Sequence, residues 1–586
     1  MMKKRNSITL KTKVMKNKIY ILCIGLLIGL SSCSDEFVQV DPTNLITDSQ
    51  VWQDQNLVNA FLNNVYNSLE FSDLTGEQNF NQALIASMGM ELRVYDAWQN
   101  PYKRSLEIIN PNGAHSSLGY FKWGPLRDCN LTIKKLRTES KLSQDFIDKK
   151  IAEARFLRAY IYFEMVKRYG GMPIITEPQD IDTPVEELFA SRNSEQELYN
   201  FIISDLEEAA QNLPTTASAA SGRATKWAAL ALLTRAATYA GSIGEFGDMQ
   251  LDGLLGISDP QPFWQKAYDT ANMIINESGH GLYKKHSDKA INFQELFTDE
   301  DNTEVIFSQK FDTDLKAHNW SVLGQPRGIG FNRGWCGNYH VFWDTVKLFD
   351  FVDGSSGAIS DSELTSRRWS SDALFGQRDP RFRASVFYPE APWKGSMFTS
   401  HWNTTNMDSA PEGWSKKSFI RNRGRTGLMI RKRVNESLVL PPANSDGTDY
   451  IVFRLGEVYL NLAEAAFHLN LVSDATMAIN TLRNRAGMPD RVSLTWENIM
   501  QERRCELFAE DQTYWDLRRW RVAEEEMEGR RLKGLRFYYD GVTRDYSVVV
   551  RDGEPVIRRF QKRNYYLPLG INTLIDNPNL VENPGY

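Results

Sequence analysis

From Tyr450 to Arg521 the chain carries the pattern that most restricts its fold. Leu455, Val458, Tyr459, Leu462, Ala463, Ala466 and Leu469 recur at helical spacing, and Arg454, Glu457, Asn461, Glu464 and His468 leave only one narrow polar stripe. A helix this apolar must be covered on most sides. Ser473 or Asp474 can cap a second helix through Ala478, Ile479 and Leu482, closed by Gly487 and Pro489. Thr495 then opens a third helix, dense in charge. Two helices in about 36 residues match a tetratricopeptide-like hairpin, whose repeat is roughly 34 residues.

Similar helical signals run through the first half, at 120–136, 146–169, 195–212, 225–240 and 263–276, with another through Trp52, Leu57, Phe61 and Tyr66. An internal echo joins two of them: Ala154, Arg158, Ala159 and Tyr162 return as Ala231, Arg235, Ala236 and Tyr239. Small residues at such places let paired helices approach closely, so the expected fold is mainly α, a helical-repeat scaffold of stacked hairpins. From about Lys316 to Gly447 the periodicity is lost, yet seven of the 15 tryptophans lie there. Disordered segments are poor in aromatics, so this long irregular region is expected to be ordered, packed on the helices and available for binding.

The ends carry different information. A basic segment up to Lys18 precedes twelve mostly apolar residues, Ile19 to Leu30, and then Ser31-Ser32-Cys33. Twelve apolar residues are too few for a transmembrane helix, which needs about 20, and the arrangement is that of a signal peptide, already complete from Met15. Residues 1–32 hold seven Lys or Arg and no acid, so their removal leaves 61 basic against 74 acidic residues, a net charge of −13. That balance disfavours nucleic acid as a partner. Of the five cysteines, Cys129, Cys336 and Cys505 are spaced neither as a disulfide framework nor as a zinc site.

Four separated blocks, FRLGEVYLNLAEA, INTLRNRAGMP, ERRCELFAED and WDLRRW, resemble the C-terminal signature of the SusD/RagB family, as does the ending with its Asn-Pro and Asn-Pro-Gly-Tyr. Leu30-Ser31-Ser32-Cys33 resembles a lipobox, which makes Cys33 the expected site of lipidation. Ser34-Asp35-Glu36 resembles the export tag of family members, and Phe37 to Pro42 the segment tying tether to fold. The resemblance implies a surface protein of the outer membrane that binds glycans without cleaving them and hands them to a SusC-type TonB-dependent transporter. It implies no cofactor. The expected organisation is a signal peptide over 1–32, a helical region with a first binding loop over 33–315, the irregular aromatic-rich region over 316–447, and a C-terminal signature region over 448–586 on the same scaffold.

A sugar offers an apolar C–H face and a polar rim, so it is held by a flat aromatic with amide or charged donors at the edge. On loop position and composition the expected ligand contacts are Trp98, Asn100 and Tyr102 in a loop-like stretch from Arg93 to Leu118, and Asn319, Trp320, Trp335, Asn338 and Tyr339 in the irregular region. Trp123, Trp227, Trp515 and Trp520 fall in helical patterns and are expected in the core. Catalytic signatures are absent: there is no HExxH, P-loop lysine motif or GxSxG. Gly328 to Gly334 is one residue off a dinucleotide fingerprint without its strand and helix, and reads as a loop. Asp248, Gln250, Asp252, Gly253 and Asp259 fall at places resembling a calcium loop, but Gln250 and the terminal Asp259 depart from the usual ligands, and no metal is expected. Glu502, Arg503, Arg504 and Glu506 read as a helix-packing charge network, and His468 as ion-paired with its own helix. Two other functions fit parts of the pattern: a lipid-anchored glycan-degrading enzyme and a repeat scaffold that binds proteins.

Overall fold

The computed structural model describes residues 48–69, 71–72, 84–94, 118–216, 222–326, 336–405, 426–439, 442–555 and 557–586. The signal segment, Cys33, Trp98, Asn100, Tyr102, Trp335 and the Gly328–Gly334 stretch lie outside them. Residues 48–60, with Glu139–Leu142, belong to one compact unit. In it a short helix, Asp48–Val51, precedes Trp52, whose carbonyl accepts from Ser140 Oγ at 2.7 Å.

The second unit is built on a stack of helices: α1 (Trp123–Thr138), α2 (Gln144–Tyr169), α3 (Glu195–Asn212), α4 (Lys226–Phe246), α5 (Gln261–Glu277), α6 (Leu455–His468) and α7 (Val472–Ala486). Each packs on the next in that order. The step from α5 to α6 crosses the whole irregular region, so the C-terminal hairpin completes a stack begun by the first half. The helix ends follow their chemistry. Ser194 and Glu197 form a reciprocal box before α3, Thr225 caps α4, and Gly487 closes α7 in the left-handed conformation at φ 79°. The echoed arginines do equivalent work: Arg158 Nε on α2 donates to Asp205 of α3 at 2.7 Å, and Arg235 Nε on α4 donates to Glu457 of α6 at 2.7 Å.

Two local expectations are revised. Arg454, expected on the polar stripe of the helix, instead ends a strand, Tyr450–Arg454, that pairs with another extended segment, and α6 begins at Leu455. Leu471, not Ser473 or Asp474, precedes α7, and no side chain caps that end. After α7 come α8 (Trp496–Glu506), capped by Thr495 as expected, and α9 (Thr513–Arg519).

The irregular region and the C-terminal part contribute short strands: β1 (Leu92–Val94), β2 (Val305–Gln309), β3 (Tyr339–Val341), β4 (Arg368–Trp369), β5 (Val386–Phe387), β6 (Pro392–Trp393), β7 (Ser396–Met397), β8 (His401–Thr405), β9 (Met429–Ile430), β10 (Tyr450–Arg454), β11 (Lys533–Asp540) and β12 (Asp545–Asp552). They form the sheets β1-β3-β9-β5, β10-β2, β6-β7 and β4-β12-β11-β8. The last is two-faced. Phe537, Tyr539, Tyr546 and Val548 are buried, while Arg536, Tyr538, Ser547 and Val549 alternate with them toward solvent.

The expected charge network joins these layers. Glu502 binds Arg381 at 2.5 Å and Arg483 at 2.9 Å, and Glu506 binds Arg454 at 2.7 Å, Arg381 at 2.9 Å and also Arg485. Burial alone would raise the Glu506 carboxyl, but Arg485, Arg454 and Arg381 together hold it well below the usual carboxylate range. Arg503 pairs with Asp516 at 2.8 Å, and half-buried Arg504 approaches Glu526 at 3.9 Å. His468 departs from its expectation: its ring stacks on Trp264 at 4.5 Å, and its nearest carboxylate is Glu245 of α4 at 3.9 Å.

Candidate functional site

The antiparallel register of β1 and β3 pairs Leu92 with Val341, Arg93 with His340 and Val94 with Tyr339. The chain therefore leaves β1 after Val94 and enters β3 at Tyr339 at one and the same end of the ladder. Residues 95–102, with the first three expected contacts, follow Val94; residues 335–338, with two more, precede Tyr339. Sequence composition had no means of joining these two stretches, which lie more than 200 positions apart. Backbone pairing joins their ends.

Asn319, Trp320, Asn338 and Tyr339 are brought together, but mostly below the surface. Trp320 opens a five-residue helix, Trp320–Gly324, in which every residue is buried. Its ring lies 5.0 Å from that of Tyr339 and 4.1 Å from the Arg433 guanidinium, and its Nε1 donates to Lys432 O at 2.9 Å. Trp320 is 1% exposed and Tyr339 0%, so neither ring offers a face for stacking. Closing both rings satisfies the indole N–H internally and removes a large apolar area from water. Asn319 is buried too. Its Nδ2 donates to Asn444 Oδ1 at 2.6 Å, while its Oδ1 accepts from Asn444 N at 2.6 Å. Asn338 is half-buried, with its backbone N–H on Leu323 O at 2.9 Å. These four residues thus hold the chain on either side of 327–335 and near 444.

Glu91, next to β1, carries a large electrostatic perturbation. Its Oε1 accepts from Ala509 N at 3.0 Å and Thr513 Oγ1 at 2.8 Å, while Oε2 has no hydrogen-bond partner among the described residues. Burial pushes this carboxyl up to about 8, against those two hydrogen bonds. Ala509 O in turn accepts from Arg433, the cation lying on Trp320. A polar cavity of about 80 Å3 is lined by Tyr160, Glu164, Lys167, Arg168, Asp511 and Gln512, among others. Burial pushes the Lys167 ammonium down to about 8, opposed by Glu164 at 2.6 Å.

A wider cleft, about 450 Å3, opens at the end of α4 and includes Phe246, Asp248, Gln250, Arg521, Glu525 and Lys562. Arg521 lies against the rings of Tyr565 at 4.8 Å and Tyr566 at 5.0 Å. Here the supposed calcium residues have other work: Asp248 meets Lys562 at 3.1 Å, and Asp259 Oδ1 accepts from Gln261 N at 3.1 Å. Among the described residues no group of three or more His, Cys, Asp or Glu side chains could hold a metal ion. Trp227, Trp515 and Trp520 are buried in the helical core and Trp123 is half-buried. Among the described residues no helix is long and apolar enough to cross a membrane.

Comparison with known proteins returns one pattern over most of the chain. Residues 303–586 match the model of the SusD family, and residues 36–237 match the model described as "Starch-binding associating with outer membrane". A SusD-like protein of Bacteroides ovatus is 25% identical over 530 residues, 86% of this chain and 83% of its own. The starch-binding protein SusD of Bacteroides thetaiotaomicron is 25% identical over 458 residues, 74% of this chain and 72% of its own. Among solved structures, a SusD-like protein from Bacteroides fragilis superimposes with a TM-score of 0.71 at 23% identity, covering 92% of this chain and 99% of its own. That likeness establishes the fold.

Proposed function

Because this chain belongs to the SusD/RagB family, we propose that it is a lipid-anchored protein of the cell surface that binds oligo- or polysaccharide and passes it to a SusC-type TonB-dependent outer-membrane transporter. The observation that supports this reading best is the Val94–Tyr339 pairing, which ties the ends of two aromatic- and amide-bearing segments to one end of a strand ladder. In this reading Cys33 carries the lipid. Trp98, Tyr102 and Trp335 supply faces for sugar rings, and Asn100 and Asn338 supply amides for their rims. Trp320, Tyr339 and Asn319 act from beneath, keeping those segments in place. Affinity comes from stacking and hydrogen bonding, with no covalent step.

The test is a panel of soluble polysaccharides, starch and laminarin included, run as affinity gels and by calorimetry with a parallel assay for new reducing ends. Retardation by at least one polysaccharide without release of reducing ends is the expected result. Release of reducing ends, or no retardation by any, overturns the reading. Cys33→Ala is expected to move the protein from the membrane fraction to the soluble one.

A further inference from the structure

One solvent-facing row runs across all four strands of the sheet β4-β12-β11-β8. Ser547 of β12 pairs with Arg368 of β4 on one side and with Tyr538 of β11 on the other, and Tyr538 pairs with Trp402 of β8. Arg368, Ser547, Tyr538 and Trp402 therefore stand side by side at neighbouring-strand spacing, in a line about 14 Å long. The alternate residues, Trp369, Tyr546, Phe537 and His401, are buried beneath them. Arg368 is exposed and the other three of the row are half-buried.

The row is held in shape by its neighbours. The Arg536 guanidinium lies 4.3 Å from the Trp402 ring and its Nη1 donates to Tyr538 Oη at 3.5 Å. At the other end Arg368 meets two carboxylates, Asp545 at 2.5 Å and Asp540 at 3.5 Å. Two aromatic rings at one end, a small hydroxyl in the middle and an arginine with two carboxylates at the other end make a strip with stacking surface and polar groups in sequence. A peptide would add at a sheet edge through its backbone. A ligand lying across the face of the strands instead needs flat apolar faces with hydroxyls along its rim.

We infer that this strip is a glycan-binding surface in its own right, separate from the segments tied at Val94–Tyr339, and that it takes an extended neutral oligosaccharide lying across the strands. The inference rests on the glycan-binding reading above. Neutral sugars are the fit because the two carboxylates Asp540 and Asp545 outnumber the one guanidinium of Arg368, and the excess negative charge at that end repels an acidic chain.

The test uses the full chain and whichever polysaccharide of the panel retards it. Trp402→Ala and Tyr538→Ala are each expected to weaken binding about ten-fold, with unfolding midpoints close to that of the parent. Ser547→Gln leaves both rings in place and puts bulk at the centre of the row, and the same loss is expected. A parent chain that binds while all three variants bind within about two-fold of it overturns the strip and leaves the glycan reading standing. A parent chain that binds nothing in the panel overturns the glycan reading and the strip with it. Stronger binding of polygalacturonate than of every neutral polysaccharide overturns the neutral assignment.

Discussion

Two sets of the same three residue types stand in opposite relation to water. Trp320 packs with Tyr339 and has Arg433 4.1 Å from its ring; Trp402 neighbours Tyr538 and has Arg536 4.3 Å from its ring. The first set is closed in the interior and the second is half-buried on the outer face of a sheet. Local chemistry is therefore the same, and what differs is the backbone. Trp320 sits in a single helical turn wedged between strands and loops, so every direction from it is protein. Trp402 sits on an edge strand whose other face already supplies the buried layer. Composition selects such triplets; register decides which can meet a ligand.

The sharpest way to break this comparison is to remove each indole. Trp320→Ala is expected to lower the unfolding free energy by about 3–5 kcal/mol, the usual cost of truncating a buried tryptophan, read from urea or guanidinium transitions. Trp402→Ala is expected to cost under about 1 kcal/mol, as for a partly exposed site. Equal costs would abolish the distinction between anchor and platform.

A second difference is electrostatic, and pH exposes it. Glu91 is linked to the closed set through Ala509 and Arg433. Its folded carboxyl is raised from the ordinary value of 4.5 to about 8, so between these pH values the unfolded chain ionises while the folded one retains its proton. A raised folded value contributes stability that is fully present below the unfolded value and is lost as pH climbs through the folded one. Every tenfold gain in proton affinity on folding is worth about 1.4 kcal/mol, so wild-type stability is expected to fall by a few kcal/mol between pH 4.5 and pH 8 relative to Glu91→Gln. Denaturant titrations of both proteins at pH 4.5 and 9 check the sign. Parallel curves would mean that Glu91 is ionised in the fold.

Much of the helical scaffold was legible in the sequence because each helix carries its own period and, often, its own cap: Thr225, Thr495 and Gly487 stand where their chemistry places them. Arg454 reads as helical because a residue directly ahead of a buried helix looks the same whether extended or helical, and only the pairing of Tyr450–Arg454 with β2 decides. Trp320 and Tyr339 read as binders because tryptophan, tyrosine and asparagine between turns suit both a sugar and a loop core, and burial separates the two. The open strip left a signal that composition does not weigh. Leu535, Phe537 and Tyr539 alternate with Arg536, Tyr538 and Asp540 over β11, a period of two that declares one face wet. Its partner Trp402 lies more than 130 positions earlier, and no sequence period links them.

The smallest effect distinguishes the two arginines. Arg433 is buried at positive φ, 62°, stacks on Trp320 and also donates to the carbonyl of Ala509. Lysine keeps the charge but loses the planar fork and the flat contact with the ring. Arg433→Lys is therefore expected to cost about 1–2 kcal/mol, on the scale of a buried cation–π contact and one charge-assisted hydrogen bond. Arg536→Lys, on the half-exposed face, keeps its stem over Trp402 and returns its ammonium to water. Its cost to stability is expected within about 0.5 kcal/mol, as is usual for surface substitutions. Both numbers come from the same denaturant measurement. If Arg536→Lys destabilises as much as Arg433→Lys, the guanidinium on Trp402 is structural, and the outer triplet is a second anchor rather than a platform.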